Sequence, residues 1–262
     1  MALPIALPVA LAAFGAIRYG VGFAALKAED TLERPAYSVV ETLDNGVELR
    51  AYDAHTVATT TIKEPLHMEV ARAQGFKDVL DYFHGANTVK TWWGKKVSEN
   101  MTLEMTTPVE TTVMSFDSHG FSTPRAVSVA FSMGGDFKKK HYPVPKNANI
   151  RLKRVPGHFV AVKRFHGPMP SQEKVKKERE QILKVIKKYT LRKLTARPET
   201  LVFGYHDPIL IPAFLRKNEV SPRGHEAFTC LFCSLLSSSS QVGVIVDDEQ
   251  ELIKEVMSNP YL

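Results

Sequence analysis

The chain is poor in cysteine: among its 262 residues only Cys230 and Cys233 carry a thiol. Two cysteines cannot build the set of disulfides on which many small secreted domains depend. A zinc or redox role for the pair would need further ligands or a fitting structural context, and His225 alone is not enough. We therefore interpret the pair as part of an apolar tail, and we expect stability to come from a hydrophobic core, which a 44% apolar composition can supply.

The sequence also lacks the short motifs of common enzyme classes. It contains no phosphate-binding glycine loop, no nucleophile elbow and no paired-acid motif, so nothing in it supports an enzyme. The net charge of +6 is too small for a dedicated nucleic-acid-binding protein. Ten lysines and arginines fall between residues 174 and 197. Most lie on one face of an amphipathic helix, which is typical of a solvated surface, and nucleic acid is an unlikely partner.

Charge is almost absent from one long stretch at the N-terminus, since residues 2–26 contain Arg18 alone. The stretch is long enough to span a bilayer, but Pro4 and Pro8 make it a poor spanning helix. No basic region precedes it, which argues against a secretory signal. Two alternatives stay open: an anchor or cleaved targeting segment, or an apolar arm that packs on the domain. The first implies a membrane-surface partner and association through residues 2–26 in a cytoplasmic or organellar protein.

Composition divides the chain into three regions. We predict an apolar N-terminal segment and linker over residues 1–34, a folded domain over 35–220 and a partly flexible tail over 221–262. In the domain, Asp44-Asn45-Gly46 indicates a hairpin because Asn and Gly tolerate positive φ. The pattern predicts helices over 66–83 and 171–189, a loop over 88–98, and strands over 37–41, 47–52, 55–62, 101–114, 126–133, 150–165 and 201–205, with a last strand ending at Val220.

An internal repeat follows from this order of elements. Residues 47–62 align without gaps on residues 150–165, and four pairs are identical: Leu49 with Leu152, His55 with His158, Val57 with Val160, and Ala58 with Ala161. Each block precedes a helix of similar length and then further strands. The alignment favours a duplicated α+β half-unit, with the sheets of the two halves paired and both helices outside.

Six ordered motifs span about 184 residues: Tyr37-Ser-Val-Val, Val47-Glu-Leu-Arg-Ala-Tyr52, Met105-Thr-Thr-Pro-Val109, Phe165-His-Gly167, Gly204-Tyr205 with Asp207-Pro208, and Arg216-Lys-Asn-Glu-Val220. Together they resemble the motifs of the SOUL family of haem-binding proteins. The resemblance implies a distorted antiparallel β-barrel flanked by two helices. It also implies non-covalent binding of haem or another porphyrin, and a tetrapyrrole-binding role in buffering, transport or sensing.

The sequence departs from the family pattern at three places. Ala51 stands where some members have a histidine, and Ile209, Leu210 and Ile211 stand where a basic residue is sometimes found. Pro222 follows the last motif, and because proline cannot donate to a sheet we expect the closing strand to be cut short or displaced. The missing closing-strand motif, Ala51 and the apolar N-terminus favour an alternative function: a structural or membrane-associated interaction protein that keeps the fold and has lost haem binding.

The first helix is the candidate tetrapyrrole site. A porphyrin needs an apolar platform and one or two cations at its rim for the propionates. Phe76, Leu80 and Phe83 supply a platform with Val79 beside them, and Arg72 and Lys77 supply the cations. The alternative is that this stripe is ordinary core and the cations are solvated. The iron ligand, if any, stays unknown; the histidines considered are His55, His67, His84, His141 and His158.

Overall fold

The computed structural model describes residues 20–22, 24–28, 31–65, 67–90, 96–115, 124–134, 142–189, 199–207 and 210–223. Predictions that concern residues 1–19, His141, the basic residues after Tyr189, or the tail with Cys230 and Cys233 lie outside these residues.

The described residues contain two long helices, α1 (Met68–Phe83) and α2 (Gln172–Tyr189). The strands are β1 (Tyr37–Leu43), β2 (Val47–Tyr52), β3 (His55–Lys63), β4 (Asn87–Lys90), β5 (Lys96–Glu99), β6 (Val109–Ser115), β7 (Pro124–Ser132), β8 (Val144–Pro145), β9 (Arg151–Val155), β10 (His158–His166), β11 (Thr200–Gly204) and β12 (Lys217–Pro222).

Nine of these strands form one antiparallel sheet in the order β1-β2-β10-β12-β11-β6-β7-β3-β9, and the sheet curls into a distorted half-barrel. A second sheet has the order β5-β4-β8. Both helices pack on the same face of the large sheet, since one apolar cluster (cluster 1) contains Met68 of α1, Ile182 of α2 and Val220 of β12. The predicted α+β class, with a distorted antiparallel barrel and two flanking helices, is confirmed.

The large sheet is symmetric about the contact between β11 and β6. From that contact the order runs β6, β7, β3, β9 on one side and β11, β12, β10, β2 on the other. The registers correspond as well: His55 pairs with Val155 in β3 and β9, and His158 pairs with Tyr52 in β10 and β2. The same 103 residues separate His55 from His158 and Tyr52 from Val155, so the predicted sequence alignment and the strand pairing share one offset.

Helix α1 buries a different stripe from the predicted one. It begins at Met68, not Leu66, and its buried face carries Met68, Ala71, Gly75, Val79, Tyr82 and Phe83. Val70 of α1 lies outside this face and is 67% exposed. Small residues let the helix lie close to the sheet: a Cβ added at Gly75 would sit 2.7 Å from Cγ2 of Val129. A second cluster (cluster 2) lies beneath this half of α1 and includes Val79, Phe83, Phe131, Met133 and, partly buried, Tyr142.

Three further predictions on strands and loops are corrected. The segment expected as a loop over 88–98 contains β4 and β5, which pair as a hairpin. The strand expected from Met101 begins only at Val109. The closing strand does not stop at Val220, because Ser221 and Pro222 still pair with β11. Proline is tolerated there since the pairing of β12 with β10 already ends at Val220, so the missing N–H interrupts no ladder on that side.

Candidate ligand-binding site

A buried ionic network lies on the face of the sheet opposite the helices. Arg50 and Glu219 are both fully buried. Two hydrogen bonds join them, Nη1 to Oε2 at 2.8 Å and Nη2 to Oε1 at 2.9 Å. Tyr205 Oη donates to Glu219 Oε2 at 2.7 Å, and Arg164 Nε donates to Oε1 at 2.9 Å. A bidentate pair with these additional donors satisfies charges that would otherwise be costly to bury.

The network shifts the proton affinities of its members. Burial alone would raise the pKa of Glu219, but the hydrogen bonds and charge of Arg50, with bonds from Tyr205 and Arg164, hold it below its ordinary value of 4.5. Burial raises the pKa of Tyr205, and the neighbouring Glu219 raises it further. The carboxylate is therefore ionised and the phenol protonated at neutral pH, which suits a structural ion pair.

This network also explains most of the sequence motifs. Arg50, Tyr205 and Glu219 come from three separate motifs and meet in it. A fourth motif joins through Thr107, whose Oγ1 donates to the Tyr205 carbonyl at 3.1 Å. A fifth joins where Asn218 Nδ2 donates to the Gly167 carbonyl at 2.9 Å. These motif residues hold the strands and loops together. Sequence reasoning missed the ion pair, because polar residues that alternate with apolar ones, as in β2, are also typical of a strand with one solvated face.

The predicted platform on α1 is largely assembled within cluster 2. Val79 and Phe83 are fully buried there, while Phe76 and Leu80 are half-buried at its edge. The ring centroids of Phe76 and Phe83 lie 5.4 Å and 5.3 Å from that of Phe131. The part of the platform that meets solvent is therefore the flank formed by Phe76 and Leu80, with the other two side chains behind it.

The two predicted cations are separated. Arg72 is half-buried one turn before Phe76, on the same flank, and its Nη1 donates to the Pro170 carbonyl at 3.2 Å. Burial lowers the pKa of Arg72, and the charge of Glu69 opposes that shift. The side chain of Lys77 is 68% exposed and pairs with Asp81 at 2.8 Å. Of the two, Arg72 has the better position at the rim of the flank.

A cavity of about 550 Å³ lies beside cluster 2. Its walls come from the linker before β1, the turn between β2 and β3, the end of β7, and β9. They include Glu33, Arg34, Asp53, His55, Tyr142 and Arg154. Met133 and Tyr142 belong both to this wall and to cluster 2. The volume is within the usual range of small-molecule sites. Sequence reasoning did not find the cavity because its residues come from distant segments that share no motif.

His55 and His158 lie close together at the first residues of β3 and β10. Their ring centroids are 6.1 Å apart, and each Nδ1 lies 2.9 Å from a backbone carbonyl, that of Asp53 or of Pro156. Because a carbonyl oxygen only accepts, each contact is a hydrogen bond in the tautomer whose Nδ1 carries the proton. His67 and His84 flank α1 as predicted, at its N-cap and C-cap. Within the ranges given above, no group of three or more His, Cys, Asp or Glu side chains is placed to hold a metal ion.

The fold is thus an α+β domain with a curled antiparallel sheet, two helices on one face and an adjoining cavity. The model of the family described as SOUL heme-binding protein matches residues 32–222. The chain therefore belongs to the SOUL family. It matches no curated protein sequence.

Several solved structures are similar in fold at low sequence identity. The EcmrR C-terminal domain is 12% identical with a TM-score of 0.42, covering 67% of this chain and 94% of its own. An uncharacterized conserved protein from Listeria innocua is 12% identical with a TM-score of 0.43, covering 75% and 95%. A hydrolase from Listeria innocua is 11% identical with a TM-score of 0.39, covering 75% and 95%.

Proposed function

We propose that this protein binds haem or another tetrapyrrole non-covalently, for buffering, transport or sensing, and that it catalyses no reaction. The observation that carries the proposal is the family match over residues 32–222. We further propose that the domain is a duplicated half-unit spanning residues 35–220, which the shared offset in sequence and strand register supports.

The binding site that we propose for the ligand is the flank of α1. Phe76 and Leu80 offer an apolar surface, backed by Val79 and Phe83, and Arg72 offers a guanidinium for a propionate. Lys77 lies further round the helix and would contribute only a long-range charge. Burying a few hundred Å² of porphyrin is worth roughly 10 kcal/mol before the cost of association. That energy makes binding possible without an iron ligand.

The cavity beside cluster 2 is the alternative binding site. Its residues fit a tetrapyrrole in kind: Arg34 and Arg154 match carboxylates, and Met133 and Tyr142 present apolar surface. His55 also lines it, with Nε2 as the nitrogen able to accept a bond when Nδ1 carries the proton. Arg154 lines the cavity and Arg72 lies on the flank of α1, so substituting each in turn distinguishes the two candidate binding sites.

Titration with hemin, monitored through the absorbance of the Soret band, tests both the proposed function and the proposed binding site. We expect a saturable shift at micromolar hemin for the intact chain. Arg72→Glu should weaken binding by about tenfold or more, since losing a charged hydrogen bond costs about 1.5–3 kcal/mol. Arg125→Glu is the matched control, because Arg125 is exposed on β7. If Arg154→Glu weakens hemin binding and Arg72→Glu does not, the binding site is the cavity and not the flank of α1.

The alternative function is a structural or membrane-associated interaction protein that has lost the ligand. Ala51 and the apolar residues 209–211 favour it, since they replace groups that other members use. The same titration decides between the two functions: if hemin produces no saturable shift, the binding proposal fails and the alternative stands.

A further inference from the structure

Residues 210–216 form a hydrogen-bonded segment on the surface, which we call the apolar loop. The backbone N–H of Leu210 donates to Asp207 Oδ1 at 2.8 Å, and Arg216 Nε donates to the Ile211 carbonyl at 2.7 Å. The N–H of Leu215 donates to the Pro212 carbonyl at 3.0 Å. Ile211 is 1% exposed and anchors the loop in the domain. The conformation is thus fixed by several contacts.

This fixed loop displays large apolar side chains to solvent. Leu210 is 49% exposed and Phe214 is 60% exposed. Apolar residues scattered singly over a surface are ordinary, but a group of them marks an interaction site. The loop cannot turn these side chains inward, because Ile211 already fills the inward position and the hydrogen bonds fix the backbone.

The N-terminal segment reaches the domain at this same loop. Gly22 is buried, and a Cβ added there would lie 2.7 Å from Cδ of Pro212 and 3.3 Å from the Leu210 carbonyl oxygen. Val21, beside it, is 51% exposed. The sequence before Gly20 is apolar with Arg18 as its one charge. Two apolar elements from opposite ends of the domain sequence therefore adjoin.

We propose that the apolar loop and the adjoining residues 20–22 form a surface that binds a lipid bilayer. Leu210, Phe214 and Val21 would enter the boundary between headgroups and acyl chains, as aromatic and aliphatic residues do in interfacial proteins. Lys27, exposed five residues after Gly22, suits anionic headgroups. A bilayer fits better than a single protein partner, because the chain leads into this surface through a sequence, residues 2–19, in which Arg18 is the one charge, and a long apolar run suits a bilayer. The proposal does not depend on tetrapyrrole binding. Within the described residues no helix is long and apolar enough to cross a membrane.

Vesicle flotation of the intact chain tests this surface without any tetrapyrrole. Phosphatidylcholine vesicles and vesicles that also contain phosphatidylserine are the probes. The intact chain should float with both and more strongly with the anionic vesicles. The double variant Leu210→Ser/Phe214→Ser should lower partitioning by about tenfold or more, since each apolar side chain contributes over a kilocalorie per mole on burial. Val70→Ser is the matched control, because Val70 is an equally exposed apolar residue on α1.

Two results would overturn the proposal. Flotation equal in the intact chain and the double variant would show that the loop takes no part. An intact chain that stays out of both vesicle types would show that the surface is covered, either by residues 1–19 or by a second copy. Light scattering then separates these occupants, since only the second copy doubles the mass. Circular dichroism of each variant confirms that a loss of flotation does not come from unfolding.

Discussion

Glu219 accepts hydrogen bonds from three side chains while its own side chain is fully buried. At the scale of single residues, this carboxylate connects several strands on the face of the sheet opposite the helices. It joins β2 through Arg50, β10 through Arg164, and the end of β11 through Tyr205. Removing this carboxylate would leave the buried Arg50 charge with the partly exposed Glu48 as its remaining counter-charge, to which Arg50 Nε and Nη2 donate at 2.8 Å and 2.7 Å.

Glu219→Gln should therefore lower the free energy of unfolding by about 3 kcal/mol, the lower end of the cost of breaking a buried ion pair from one side, because Glu48 still compensates part of the Arg50 charge. Urea unfolding measures it. Asp81→Asn is the control, since Asp81 belongs to an exposed pair with Lys77 whose attraction solvent screens. A loss as small in Glu219→Gln as in this control would contradict the structural role of the network.

The same carboxylate predicts a pH dependence. Its pKa is lower in the folded chain than its ordinary value of 4.5. Its contribution to stability is therefore present above that ordinary value and is lost as the pH falls through the folded pKa. The stability difference between the intact chain and Glu219→Gln should narrow between neutral and strongly acid pH. Unfolding measured at a series of pH values checks this, and a constant difference would be inconsistent with a lowered pKa.

At the scale of elements, helix α1 shows how far sequence patterns reach. Its existence and its C-terminal end were predicted, and so was the apolar character of Val79 and Phe83. The prediction of its buried face was wrong because that face uses Ala71 and Gly75, which carry little hydrophobic signal. Their value lies in how closely they let the helix approach β7, and a pattern of apolar residues does not report that distance.

Gly75→Ala tests this close approach. Alanine is the better helix former by about 1 kcal/mol, yet its Cβ would sit 2.7 Å from Cγ2 of Val129. Overpacking of this kind costs about 1–3 kcal/mol, so we expect the thermal midpoint to fall. In a protein that already carries Val129→Ala, the contact with Cγ2 is absent. There the added change Gly75→Ala should lower the thermal midpoint less than it does in the intact chain. A rise of the midpoint in Gly75→Ala would show that the contact relaxes.

At the scale of the whole molecule, the α+β class followed from the order and spacing of the elements, and the curled antiparallel barrel followed from the family resemblance. The hairpin at Asn45, where φ is 57°, and most strands were also predicted from local signals. The cavity was not, because the curl of the sheet brings Arg34, His55 and Arg154 together from segments without a shared motif. The ion pair between Arg50 and Glu219 escaped for the same reason. Such contacts between distant residues depend on how the strands pair, and no local pattern encodes that pairing.

Equilibrium titration of the intact chain with hemin tests the central proposal most directly. The absorbance of the Soret band would be followed to saturation, and Arg72→Glu would be titrated beside Arg125→Glu. We predict saturation at one hemin per chain, weaker binding by Arg72→Glu and unchanged binding by the control. Absorbance that rises without saturation, equally in all three proteins, would contradict tetrapyrrole binding by this domain.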